Sequence, residues 1–384
     1  MRSLVIASTF ISLVTACTGS PGGGTAGGEP GEGGGSATAG GSATAGGAAT
    51  AGGSSTAGGA STAGGGDPPP ALVFTASPVP NLPTGTRFAS SVPYGPDPRQ
   101  VIDVFLPDSG TPTPLVIFYH GGGFTSGSRT AGFSEVAKLM DAGVAWAGVE
   151  YRLLRTDGTE DAGVAKCLGD NRTGLQFLRR WAATFNIDPT RVGVYGSSAG
   201  AGTSLWLAFH PDMAQSGSTS MVARQSTRVR AAAATSTQAT YDVLRWSPEV
   251  FAIEYPTLTN DVLLSQATQR QSLARFYGIS AALAADASTL VATLAEPHYL
   301  AYRADVDMLG LVSADDPPVY LQTAGANTAP TSANFDVLHH PLHPMALLRF
   351  ATDAGVSTNA QVNAYGVDTT PGDAMDFLIG HLRQ

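Results

Sequence analysis

From about position 85 onward, short apolar runs alternate with amphipathic stretches. "PLVIFYH" (Pro114–His120), "VAWAGVEY" (Val144–Tyr151) and "RVGVYG" (Arg191–Gly196) read as strands. So do "VRAAAAT" (Val229–Thr235), "PVYLQT" (Pro318–Thr323) and "AQVNAYG" (Ala360–Gly366). Each is almost continuously hydrophobic, as strands covered on both faces must be. Between the second and third, "CLGDNRTGLQFLRRWAATF" sets Leu168, Leu175, Leu178, Ala182 and Phe185 along one helical stripe. The rhythm is that of βα units on a mostly parallel sheet, with helices on both faces. The segment Asp212–Pro317 holds one strand candidate and much helical or irregular sequence. Its later part is expected to be an insertion over the active edge of the sheet, a lid or pocket wall.

The stretch before position 85 has a different character. From Gly34 a six-residue unit recurs five times, from "GGSATA" to "GGASTA", without one large apolar side chain to bury. Such tracts behave as flexible coil, and some 50 residues of it reach roughly 40 Å. The opening "MRSLVIASTFISLVTAC" has one positive charge, an apolar run and small residues before Cys17. That pattern is a signal peptide rather than a membrane span. The expected organisation is therefore a leader (1–17), a disordered linker (18–84) and one domain of about 300 residues (85–384). "VTAC" resembles a bacterial lipobox, which implies lipidation of Cys17, export and a membrane anchor at the periplasmic or cell surface; ordinary secretion after Ala16 is the alternative. Cys167 is then left without a disulfide partner. A net charge of −9 without basic clusters argues against nucleic acid as a partner.

Two glycine motifs add chemistry. "GSSAG" (Gly196–Gly200) matches G-x-S-x-G, which by composition arises about 0.5 times per chain of this kind. Its setting is more telling, because it follows a strand and opens a helix, placing Ser198 on a sharp turn at a helix N-terminus. "HGGGF" (His120–Phe124) follows another strand, and a chance HGGG tetrad arises roughly 0.01 times per chain. Its glycines let backbone N–H groups face a cavity, where with the N–H of Ala199 they could hold an oxyanion.

From about Tyr94 to His210 the chain resembles the hormone-sensitive-lipase and feruloyl-esterase-like (BD-FAE-like) branch of the α/β-hydrolases. The resemblance rests on "VFLP" (Val104–Pro107), "HGGGF", "EYRL" (Glu150–Leu153), Asp170, "DPTRVGVYGSSAG" and "VSADDPPV" (Val312–Val319). "GSSAGAGTSLWLAFHPDMA" with "VARQSTRV" is similar to a bacterial subgroup of uncharacterised hydrolases. The resemblance implies an α/β-hydrolase fold, Ser198 as nucleophile and the amides of Gly121, Gly122 and Ala199 as oxyanion hole. It gives His120 a loop-orienting role, and implies a small-molecule ester substrate and no cofactor.

A serine hydroxyl needs a base to take its proton, usually an imidazole held by a carboxylate. In this fold the acid follows the strand read at "PVYLQT" and the histidine follows "AQVNAYG". Here the latter place holds Asp368, and no histidine occurs between Asn363 and Gly380. His339, His340 and His343 instead cluster in "LHHPLHP", one strand earlier. Either these histidines form a structural pair capping the next helix, or they supply a relocated base, expected to be His340 with His339 and His343 as alternatives. Asp336 is the expected acid, and Asp242 or Asp368 could stand in for it. Pro341 and Pro344 disfavour a metal site here, and His210, His298 and His381 read as structural or surface residues. The leading expectation is a serine esterase for small to medium esters. Its competitor is a non-catalytic hydrolase-fold binding protein that lost its base.

Overall fold

The computed structural model describes residues 68–330, 337–370 and 372–384. The leader, Cys17 and the repeats, like Asp336, lie outside the described residues. A ten-stranded sheet runs in the order β1-β2-β3-β5-β4-β6-β7-β8-β9-β10. Its centre consists of β4 (Thr113–Tyr119), β5 (Ala145–Val149), β6 (Ile187–Ser197), β7 (Ala231–Thr235), β8 (Val319–Thr323) and β9 (Thr358–Val362). All six strands read from the sequence are present. They pair in parallel from β5 through β4 to β9.

The sheet extends further than the sequence pattern suggested. β1 (Phe74–Thr75), β2 (Arg87–Pro93) and β3 (Val101–Leu106) add antiparallel strands at one edge. The two-residue β10 (Val367–Asp368) closes the other edge against β9. The fold therefore begins upstream of position 85.

Strand pleating divides the core into two layers. In β4, Leu115, Ile117 and Tyr119 face one side and Val116 and Phe118 the other, all essentially buried. Helices α1 (Val136–Asp141) and α6 (Ala374–Leu382) contribute to the second layer, with Trp146 donating to Tyr195 Oη at 2.9 Å in its centre. Lys138 ties these helices together through Asp373 and Asp376, both at 2.7 Å. Helices α2 (Val164–Arg180) and α3 (Ala199–Phe209) belong to the first layer. Cys167 of α2 is a free buried thiol whose pKa burial pushes up to about 12.

The segment between β7 and β8 packs onto the first layer as a set of short helices. Among them are a π-helical turn (Trp246–Phe251) and α4 (Ala267–Arg275). Helix α5 (Leu342–Ala354) begins within the histidine cluster, taking in His343, and leads into β9. No helix among the described residues is long and apolar enough to cross a membrane.

Candidate active site

Ser198 sits between β6 and α3 with φ 53° and ψ −120°, a conformation rare for a residue with a side chain. Such strain costs about 1–3 kcal/mol and persists where the surroundings enforce it. Here they do so by close approach of the chain. A Cβ at Gly196 would lie 2.5 Å from the Tyr119 carbonyl oxygen, and one at Gly200 would overlap that same oxygen. Both ends of the turn therefore require glycine. Ala199 is the first residue of α3, so its N–H has no intrahelical acceptor and faces the start of the helix dipole.

The glycine loop after β4 passes directly beside this turn. A Cβ on Gly121 would stand 3.3 Å from Ser198 Cβ. Gly122 has φ +106°, and its carbonyl accepts from the amides of Thr125 and Ser126 at 3.0 and 3.1 Å. His120 supports the loop from behind. Its Nδ1 meets the Gly121 carbonyl at 2.8 Å, its Nε2 faces Glu150 Oε1 at 3.2 Å, and its ring stacks on Tyr151. Tyr151 Oη donates to the His120 carbonyl at 2.7 Å. Glu150 also pairs with Arg99 and Arg129. Burial works to raise the Glu150 carboxyl, but His120, the Arg129 amide and Arg99 outweigh it and hold it below the usual carboxylate value. His120 is thus built into the scaffold, as the loop-orienting role requires.

Of the three clustered histidines, the geometry selects His339. Its Nε2 lies 2.9 Å from Ser198 Oγ. His340, the residue expected there, is turned away into a buried position. Its ring packs on Phe251 and Tyr255, and its Nδ1 accepts from the Leu342 amide at 3.2 Å. His343 is fully buried between Trp246 and Phe251. It accepts at Nδ1 from the Ala239 amide at 3.0 Å, which assigns its proton to Nε2 and the 2.7 Å bond to the Val337 carbonyl. The reason is local. The His343 amide bonds the His340 carbonyl at 3.0 Å, so these two share the inner side of one turn while His339 faces the opposite way.

The remaining acid candidates separate as clearly. Asp242 caps a short helix and forms a bidentate pair with Arg303 at 2.8 and 3.0 Å, so it holds the insertion rather than a histidine. Asp368 is exposed on β10, where its carboxylate accepts from the amide and hydroxyl of Thr370. Neither fills the orienting role expected of it. His210 pairs with Asp305, His381 packs on Phe377, and His298 is exposed beside Tyr299. Among the described residues no cluster of His, Cys, Asp and Glu is arranged to hold a metal ion.

The segment after β7 fixes the histidine loop. Gln238 Nε2 donates to the Leu338 carbonyl at 2.8 Å, immediately before His339, and Ala239 holds His343. Tyr241 Oη donates to the Ala199 carbonyl at 2.9 Å. No sequence motif announced these supports, because backbone amides and carbonyls form half of each bond. Two cavities share the glycine loop as a wall. One of about 530 Å³ is lined by Gly121, Gly122, Ser198, Thr235, Gln322 and Met375, among others. The other, about 440 Å³, is lined by Gly123 and Leu338 together with residues of α2's preceding loop and of α4.

Comparison with known proteins agrees with this architecture. The BD-FAE family model matches residues 102–284. A probable isoprenylcysteine alpha-carbonyl methylesterase of Arabidopsis thaliana is 28% identical over 142 residues, covering 37% of this chain and 29% of the relative. Gut esterase 1 of Caenorhabditis elegans is 30% identical over 116 residues, 29% of this chain and 21% of the relative. The chain thus spans less than a third of the length of these curated relatives. Among solved structures, a truncated carbohydrate esterase from gut microbiota superposes with a TM-score of 0.52 at 16% identity, over 77% of this chain and 96% of its own. A bifunctional GH43-CE protein of Bacteroides eggerthii gives 0.54 at 16% identity, over 77% and 38%. The superpositions show an α/β-hydrolase fold, and residues 102–284 are similar to the BD-FAE family.

Proposed function

We propose that this esterase-like α/β-hydrolase cleaves small to medium carboxylic esters through an acyl-enzyme on Ser198. The observation that carries the reading is the 2.9 Å contact between Ser198 Oγ and His339 Nε2. Ser198 Oγ attacks the ester carbonyl carbon and gives its proton to His339 Nε2. The amides of Gly121, Gly122 and Ala199 hold the oxyanion, each such donor worth roughly 3 kcal/mol in the transition state. The alcohol leaves with the proton held by His339. Water, deprotonated by the same nitrogen, then attacks the acyl carbon and releases the acid, regenerating Ser198. Asp336, three positions before His339, serves as the carboxylate that orients the imidazole. Cavities of about 530 and 440 Å³ flanking the glycine loop suit substrates of this size. The leader ending at Cys17 supports export and lipid anchoring of the domain on its glycine-rich tether.

Treatment of the purified protein with a fluorophosphonate, followed by intact mass and peptide mapping, tests the chemistry. One adduct on Ser198 and ester turnover abolished by Ser198→Ala are expected; an unlabelled Ser198 in folded protein overturns the reading. Metabolic labelling with a palmitate analogue, lost in Cys17→Ser, tests the anchor.

A further inference from the structure

We infer that the 440 Å³ cavity beside Gly123 receives a carboxylate carried by the ester substrate, with Arg275 as the residue that recognises it. This rests on the esterase reading above and names its substrate class. The cavity has largely hydrocarbon walls from Leu154, Leu273, Phe276 and Leu338. Thr268, Gln269 and Ser272 of α4 add neutral polar groups. Among the described lining residues one is charged, Arg275, and none is acidic.

Arg275 is half-buried at the end of α4. Its Nη2 donates to Ser272 Oγ at 2.9 Å, while its Nε is buried and meets no acceptor among the described residues. No carboxylate among those residues pairs with it, whereas Arg303, Arg228 and Arg245 each have one. Arg270, on the same helix, turns its guanidinium onto four backbone carbonyls. Glu160, which lines the small adjoining cavity with Arg275, is already occupied. Its oxygens accept from the amides of Arg155, Ala162 and Gly163 and from Lys166. A half-buried guanidinium without a counter-charge among the described residues has donors to spare, and a planar carboxylate matches its fork of donors.

The position of the cavity gives this cation a use. Gly123 continues the loop whose Gly121 and Gly122 line the Ser198 cavity, and Leu338 directly precedes His339. The proposal places one arm of an ester held at Ser198 past the glycine loop, in the cavity that Arg275 lines. A hydrocarbon spacer ending in one carboxylate fits apolar walls with a single cation among the described lining residues. A phosphate would call for the several converging N–H donors that such sites use.

The test compares acidic esters with neutral partners on the full chain, the acid being placed on either arm. Monoethyl glutarate and monoethyl adipate are compared with their diethyl esters, and 4-acetoxybutyrate with butyl acetate. On one arm the acid should be preferred by about 10-fold or more in kcat/KM, expressed mainly in KM. That ratio should collapse toward one in Arg275→Gln, recover in part in Arg275→Lys, and shrink with added salt. Ser272→Asp, which places a carboxylate against Arg275, should abolish the preference as well and serves if Arg275→Gln fails to fold. A ratio that is near one in the wild type, or is unchanged by these substitutions, overturns the proposal. Should no ester be turned over through Ser198, the esterase reading fails. Calorimetric binding of glutarate and adipate to wild type and Arg275→Gln then decides the subsite alone: binding lost in the variant supports it, and equal or absent binding removes it.

Discussion

Replacing His339 by glutamine takes away the imidazole nitrogen that lies 2.9 Å from Ser198 Oγ. Glutamine fills a similar volume and can still hydrogen-bond the hydroxyl, but it cannot accept its proton. Loss of the base in a serine hydrolase costs about 10⁴-fold or more in kcat, which at 1.36 kcal/mol per decade is about 5.4 kcal/mol of transition-state stabilisation. His340→Gln is the matched control, because the neighbouring ring makes packing contacts rather than a contact with Ser198. It sits 5.4 Å from the Phe251 ring and 5.7 Å from that of Tyr255. Removing those contacts and the bond from the Leu342 amide should lower stability by about 1–3 kcal/mol. At roughly 2–4 °C per kcal/mol, that is a fall in Tm of about 2–12 °C, with kcat of the folded fraction within about threefold of wild type. The assay is p-nitrophenyl acetate hydrolysis below the transition, paired with circular-dichroism melting. A folded His340→Gln protein as inactive as His339→Gln, or a His339→Gln protein retaining a tenth of wild-type kcat, would refute the assignment.

Glu150→Gln should lower Tm by about 6 °C or more, since removing one member of a buried ion-pair network costs about 3 kcal/mol or more. The folded Glu150 carboxyl lies below its unfolded value, so its contribution is present above about pH 4.3 and disappears as pH falls through the lower folded pKa. Acid melts of wild type should steepen over that range, and those of Glu150→Gln should not. Asp242→Asn, which weakens the bidentate pair with Arg303, should reduce Tm while leaving kcat within about threefold; a 10³-fold loss of kcat in folded protein would make Asp242 a catalytic partner after all. Asp368→Ala should leave kcat within about twofold, and a larger loss in the same ester assay would restore a role to that position.

How much of this was legible beforehand follows from what each residue must satisfy. The six central strands are continuous apolar runs because both faces are covered, and such runs are visible in a sequence. β2 alternates unevenly, with Ser90 and Ser91 exposed at a bulge against β3, and β10 is two residues long, so neither leaves a pattern. The turn at Ser198 and the start of the glycine loop could be read because close approach of the Tyr119 and Ser197 carbonyl oxygens leaves no room for a side chain there. The base could be narrowed to one loop but not to one ring. His339 and His340 are adjacent and share composition and context, and what separates them is which side of a single turn faces Phe251. Arg275 had no motif at all, since its interest lies in the absence of a counter-charge among the described residues lining a cavity.

The stitching of the histidine loop to the segment after β7 also bears on how chains of this fold can be recombined. Gln238 and Ala239 grip the loop on either side of His339, and Trp246 and Phe251 enclose His343. A chimera that exchanges the helical insertion while keeping the host's loop would separate the imidazole from the mould that aims it. Here the exchangeable module runs from Gln238 through the start of α5 as one piece, whereas the β9–β10 hairpin, which on the proposed mechanism delivers no catalytic side chain, is open to redesign.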